Sequence, residues 1–370
     1  MTGAPIRGRG GWALAGCAAA ALFCLGGLAD RQALFGCWLA AWWTCAGGVL
    51  GAQANLWLHD LSGGAWGLAL RPLWRRAAAA MPMLLLLMLP LLGAVWLCYP
   101  WSRAGWIPDA AQAGFKAVWL APTFVTARLI GYALLWQALA LMPARRKGAS
   151  AAGLLAYGVT ISLAAVDLVM SLMPQWYSSG FGLLAVALHM KLGFALGVAG
   201  ATGPGADGAG RRKPWAVFSP QLGRDWGNLL LMYVLMWAYL AFTQFLIVWA
   251  ENLPHEIEWY VPRLQTGWVW LGMALAAGFF VPMALLLFRA VKQHRRRLRG
   301  LAAALCLLGW LESLWVTLPS IEGLSWHALW MAPLALLAMA ALMCAAMPSA
   351  RQAGPARPPV QTMRQPESGS

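Results

Sequence analysis

The sequence has little charge. Lys, Arg, Asp and Glu together make up 11% of its 370 residues, against roughly 25% in soluble globular domains. Acidic residues are the scarcer kind, 12 against 27 basic. The seven cysteines, at 17, 24, 37, 45, 98, 306 and 344, form no CxxC or CxxCH pattern. They lie in or beside apolar runs and read as small core residues. Histidine is also sparse, with five in all. A membrane haem needs two axial ligands at matched depth on facing helices, and only His189 is deep; His59 and His294 fall at one surface, His255 and His327 at the other. No metal, haem or redox cofactor bound directly by the chain is expected. Missing too is any stretch that reads as a soluble domain, so the net charge of +15 has no nucleic-acid-binding fold to serve.

What is present is apolar. Hydrophobic residues make up 61% of the chain, with 24 tryptophans and a mean hydropathy of +0.62. Crossing a bilayer core of roughly 30 Å takes about 20 helical residues. Runs of that kind fall near 11–29, 33–57, 77–99, 115–142, 150–173, 178–200, 226–250, 266–290, 299–319 and 325–347. The expected fold is therefore all-α: a polytopic membrane protein with about ten transmembrane helices, one integral domain over 1–347, and a proline-rich disordered tail over 348–370. Trp57, Trp96, Trp176, Trp226, Trp249 and Trp268 stand near span ends and fit interfacial belts.

The basic residues fix an orientation. With both termini cytoplasmic, the inner side receives Arg7, Arg9, Arg71, Arg75, Arg76, Arg145, Arg146, Lys147, Arg211, Arg212, Lys213 and Arg224. It also receives Arg289, Lys292, Arg295, Arg296, Arg297, Arg299, Arg351, Arg357 and Arg364. Only Arg31, Arg103, Lys116 and Arg263 lie outside, so the positive-inside rule favours this topology, and the positive charge reads as contact with anionic lipid. Arg7, Arg9, the first apolar run and Gly27-Leu28-Ala29 also fit a cleaved signal peptide. Cleavage would leave every later loop on its side.

An ionisable group within a span costs roughly 2.5–3.5 kcal/mol even on the lenient insertion scale, and so is a functional candidate by default. Five are found: Arg128, Asp167, His189, Lys191 and Glu312. By rise per residue, Asp167 and Glu312 fall in the outer third, and Arg128 and Lys191 nearer the middle. One reading is mutual neutralisation that fixes helix packing, with Lys191 alternatively snorkelling inward. The other is a proton path, since carboxyls in low dielectric can exchange protons near neutral pH. Thr160, Asp167 and Ser171 give span five a polar stripe, as Tyr233, Trp237 and Gln244 give span seven. His59 and Asp60, at the inner end of span two beside Gly63 and Gly64, fit either a proton inlet or a solvated helix end with a tight turn, with Ser62 helping to cap the helix.

Four stretches carry a family likeness: "LHDLSGGAWG" (58–67), "DLVMSLMPQWYSSGFG" (167–182), "LMYVLMWAYLAFTQFLIVWAENLPHEIEWYVPR" (231–263) and "GWLESLWVTLPS" (309–320). Together they resemble the ActF-type membrane subunit of alternative complex III, a bacterial quinol:cytochrome c (or equivalent acceptor) oxidoreductase. That family belongs to the wider NrfD-like, polysulfide-reductase membrane-subunit superfamily. The resemblance implies two four-helix bundles with one peripheral helix on each side, no redox centre in this chain, and haem c and iron–sulfur clusters in partner subunits. It implies support of proton translocation and no catalysis by the chain alone. A second quinone-binding subunit and a purely structural scaffold are the alternatives. The chain departs from the family pattern at Asp60, where a second His is usual, at Met173-Pro174-Gln175-Trp176, where an Asp-Pro-His-Trp run is usual, and at Glu312, where Asp is usual. The missing acid and histidine beside Trp176 put a proton outlet through that turn in doubt.

Asp167 matches the family pattern, as do Trp249, Asn252, Pro254, Glu256, Tyr260 and Arg263. With Glu251 and Trp259 these last residues are expected to form a rigid docking cap for a partner. In that cap Pro254 stops the helix, Trp259 and Tyr260 lie at the interface, and Arg263 clamps a glutamate. A quinone site using His189 or Arg128, and solute transport through an inverted repeat, complete the alternatives.

Overall fold

The computed structural model describes residues 4–28, 30–106, 113–142, 147–203, 218–322, 324 and 329–347, with the side chains of 4–9 and 113 excepted. The side chains of Arg7 and Arg9, and Ala29, Arg145, Arg146, Arg211, Arg212, Lys213, His327 and the whole of 348–370, lie outside the described residues. Among those described, every long element is a helix and no strand occurs. Among the described residues nine helices are long and apolar enough to cross a membrane, and Met331–Ala346 is a shorter apolar helix. The chain is thus a polytopic all-α membrane protein.

The first bundle comprises α2 (Arg31–Ser62), a broken third span, a broken fourth span and α9 (Lys147–Leu168). After α2 come the one-turn α3 (Ala65–Leu68) and then the third span as α4 (Arg71–Ala78), α5 (Met81–Leu86) and α6 (Leu89–Ala94). The fourth span is α7 (Ala113–Trp119) and α8 (Pro122–Leu141). Prolines cause these breaks: Pro72, Pro82, Pro90 and Pro122 each occupy the first turn of a piece, where a missing N–H is tolerated. Each break frees carbonyls, and in an apolar interior they need donors. Two indoles supply them: Trp42 Nε1 donates to Leu84 O at 3.0 Å and Trp38 Nε1 to Leu87 O at 3.1 Å. The third span therefore begins earlier than the apolar run at 77 suggests, with Arg71 inside the fold.

The second bundle packs α10 (Phe181–Ala201), α11 (Pro220–Glu251), α14 (Val269–Leu287) and α16 (Arg295–Thr317). Between its spans lie the short α12 (Pro254–Ile257), α13 (Val261–Leu264) and α15 (Arg289–Lys292). The bundles meet where α2 crosses α10. A Cβ on Gly51 would lie 1.8 Å from His189 O, and one on Gly193 would lie 2.2 Å from Gly51 C. Gly47 and Gly51 on α2 and Gly193 on α10 line this crossing and let the two helices approach closely, while Gly197 makes room for the Trp74 indole.

Helices α1 (Ala4–Gly27) and α17 (Met331–Ala346) do not flank the bundles on opposite sides. They pack against each other and both against α2. Gly16 and Gly26 allow this approach, since a Cβ at either would meet Leu342 or Trp330 within 3 Å, and Phe23 stacks on Trp38 at 5.7 Å. The small-residue face of α1 selects the pairing.

The expected tryptophan belt holds only in part. Trp96 and Trp249 are exposed, but Trp57, Trp176, Trp226 and Trp268 are buried. Burial satisfies some of their polar edges: Trp226 Nε1 donates to Trp66 O at 2.8 Å, inside the end of the second bundle. The cysteines divide likewise, with Cys37 buried and Cys17, Cys24 and Cys344 exposed on α1 and α17.

Candidate functional site

The ions of the membrane interior come together as two pairs. Asp167, in the last turn of α9, is fully buried. Arg128 on α8 grips it with two bonds, Nε to Oδ2 at 3.0 Å and Nη2 to Oδ1 at 2.8 Å. Such a planar fork is the strong geometry for a guanidinium and a carboxylate. Tyr132, one turn along α8, donates its hydroxyl to Asp167 Oδ2 at 3.0 Å. Arg128 Nη2 also donates to Trp119 O at 2.8 Å, the carbonyl left at the α7 break, and the guanidinium lies 4.0 Å from the Trp119 ring centre. Arg128 Nη1 is buried without a partner.

One more turn along α8, Trp136 donates Nε1 to Thr160 Oγ1 at 2.9 Å. Arg128, Tyr132 and Trp136 thus form one face of α8 at helical spacing, set against Asp167 and Thr160 of α9. Thr160 and Ser171 pass their own protons to carbonyls of the same polypeptide, Ala156 O and Asp167 O. The stripe of span five is real as a buried face, but those hydroxyls are spent locally.

Glu312 of α16 is 3% exposed and accepts from Lys191 Nζ of α10 at 3.1 Å. Lys191 does not snorkel, because this acid lies within its reach. Trp237 of α11 donates its indole N–H to the other carboxylate oxygen, and Lys191 Nζ lies 4.0 Å from the centre of the same indole ring. The two acids are equivalently placed. Each lies on the last span of its bundle, each has one cation and one aromatic donor, and the same interval separates Asp167 from Pro174 and Glu312 from Pro319. A tight 3₁₀ turn follows in each case, at Met170–Leu172 and Leu318–Ser320.

A further buried contact, which the sequence reading missed, joins three helices. Asn55 of α2, fully buried, donates to Gly51 O at 2.7 Å and Met190 O at 3.0 Å, and accepts from Tyr233 OH at 2.7 Å. It ties α2, α10 and α11 together. A lone asparagine in an apolar run was the available signal, since an amide in hydrocarbon needs partners on other helices. Gln244, further along the span-seven stripe, accepts from Ser178 Oγ at 3.5 Å. His189 is sealed: its ring packs 4.5 Å from Trp43, and neither nitrogen has a partner. His189 is thus closed in, whereas Arg128 keeps Nη1 without an acceptor.

At the basic end of the first bundle, His59 and Asp60 are not a solvated helix end. Arg71 Nη1 lies 2.9 Å from His59 Nδ1 and donates to Asp60 Oδ1, while Ser150 Oγ donates to Asp60 Oδ2 at 3.1 Å. His59 Nε2 is 3.0 Å from Gly64 O across the turn, where Gly63 and Gly64 take φ of 71° and 95°, values suited to glycine. Ser62 bonds back to Leu58 O at 2.9 Å and does not cap the turn.

The loop after α11 differs from expectation in three ways. Asn252, in the left-handed conformation with φ 51°, caps α11 by donating to Val248 O, so the helix stops before Pro254. Trp259 is buried and stacks on Trp176 at 4.3 Å instead of lying at an interface. Arg263 clamps no glutamate. Fully buried, it donates to Trp259 O, Trp315 O, Val316 O and Ser320 Oγ at 2.6–3.1 Å, satisfying carbonyls at the end of α16 that helix geometry leaves open. Burial works to lower the pKa of this guanidinium well below its ordinary value, with the neighbouring Tyr260 opposing. Trp249, Glu251, Asn252 and Pro254 are exposed, whereas Glu256 and Tyr260 are half-buried. We expect Arg263→Met to lower thermal stability in detergent by about 3 kcal/mol or more, because several buried carbonyls lose a charged donor together.

Fold and site define a class: an all-helical polytopic membrane protein with a buried acid–base pair in each of two bundles. No family model and no curated protein matches the chain.

Proposed function

We propose that the chain is a cofactor-free integral subunit of a respiratory quinol:cytochrome c (or equivalent acceptor) oxidoreductase in a bacterial cytoplasmic membrane. In this reading it supports proton translocation and assembly. Both termini face the cytoplasm, consistent with the basic residues gathered on one side. Haem c and iron–sulfur clusters reside in partner subunits. The observation that carries the proton role is the duplicated pair, Asp167 with Arg128 and Glu312 with Lys191, each buried and each on the last span of a bundle. Withdrawing the cation from a carboxylate in low dielectric favours proton uptake, and its return favours release. Partner-driven movement of α8 or α10 would supply that alternation.

The test uses the assembled complex in vesicles. Asp167→Asn and Glu312→Gln are each expected to remove most of the protons released per electron while quinol oxidation persists. Unchanged release in both variants would remove the proton role.

A second reading, a structural scaffold, is favoured by the bidentate Arg128–Asp167 geometry, which is that of a fixed clamp. Under it the same variants lose stability and keep the proton yield.

A further inference from the structure

A cavity of about 170 Å³ opens among the basic ends of α2, α4, α8 and α9, lined in part by Gln53, Trp57, Asp60, Arg71, Arg75 and Ser150. Arg71 is 6% exposed. Its Nη1 is committed to His59 and Asp60, but its Nη2 is buried with no acceptor. Asp60 has nothing to offer it, because both carboxylate oxygens already accept, one from Arg71 Nη1 and one from Ser150. A buried cationic donor without an acceptor is costly. The remaining wall, which includes Leu56, Ala78, Ala140 and Met142, is apolar. A cavity lined by two arginines and one aspartate together with apolar side chains, at the basic ends of membrane spans, matches what an anionic headgroup requires.

We propose that this cavity binds a phosphate-bearing anion. Arg71 Nη2 donates to a phosphate oxygen, Arg75 adds charge, and the apolar rim receives the groups attached to the phosphate. A guanidinium suits this role because its planar donors match adjacent phosphate oxygens. The site does not depend on the proton reading.

The anion has two sources, a phospholipid headgroup or free phosphate, and the experiment separates them. The full chain is delipidated in detergent and titrated with phosphatidylglycerol, phosphatidylcholine or inorganic phosphate, with binding read by native mass spectrometry. Ala149→Phe fills part of the cavity and keeps both arginines, Arg75→Gln removes charge, and Arg296→Gln serves as a control on the exposed start of α16. A lipid source predicts preferential phosphatidylglycerol binding, weakened about ten-fold by Ala149→Phe, which occupies the space, and by Arg75→Gln, which removes one charge. Arg296→Gln leaves it unchanged. A free-anion source predicts saturable phosphate binding with the same variant pattern and no lipid preference. Equal binding of all three compounds by the native chain and Ala149→Phe would overturn the proposal, leaving the cavity to water.

Discussion

Asp167→Ala lowers the unfolding free energy by about 3–5 kcal/mol, the range for stripping one partner from a buried ion pair. The loss arises on Arg128, whose guanidinium keeps its charge yet is left with Trp119 O and two aromatic rings as neighbours. The combined Arg128→Leu, Asp167→Leu variant recovers most of that loss, because two apolar side chains remove both charges from the low-dielectric interior. Titration of the folded fraction with a denaturing detergent measures this. Equal destabilisation by the single and combined variants would mean that the pair contributes nothing beyond its separate contacts. The Lys191–Glu312 pair should behave alike with a smaller loss, as Lys191 donates one bond to its acid where Arg128 donates two.

The second large effect is steric. Gly51→Val places a methyl-bearing carbon where His189 O already lies at 1.8 Å, and Gly193→Val does the same against Gly51 and Ala52. Neither obstacle is a flexible side chain. The backbones of α2 and α10 must separate, which breaks the Asn55 bond to Met190 O and the seam between the bundles. Overpacking costs about 1–3 kcal/mol in tolerant cores, and a clash of backbone against Cβ belongs at or above the top of that range. Little folded protein should reach the membrane, read as loss of the monodisperse peak after extraction. By contrast Gly131→Val, which has open space around its Cβ position, should leave the yield near that of the native chain.

Much of this architecture was legible from apolar run length alone, because a span must satisfy its own backbone and so must be a long helix. Span boundaries were less so. The third span starts at Arg71, outside the apolar run, since prolines cut it into short helices whose freed carbonyls find Trp38 and Trp42 on another element. Asp167, Glu312, Arg128 and Lys191 could be found by cost, because charge in hydrocarbon stands out. Which cation meets which acid could not, since pairing depends on helix rotation. Tyr132 and Trp136 escaped notice although they continue the Arg128 face at four-residue spacing, because tryptophan and tyrosine in such a sequence look like interface residues. Arg263 was misread for a related reason. Flanking glutamates offered an obvious partner, whereas its actual acceptors are carbonyls at the end of α16, distant in sequence. Gly47-x-x-x-Gly51 was readable as a close-packing motif, and with Gly193 it marks the crossing that joins the bundles.

The proposed role rests on partners. The most direct measurement is purification of the tagged chain from its native membrane under mild detergent, followed by spectroscopy and mass spectrometry of what accompanies it. The account predicts co-purifying subunits that carry haem c and iron–sulfur clusters, with quinol-dependent electron transfer in the same fraction. A homogeneous preparation of this chain alone, retaining its fold and free of redox partners, would contradict it.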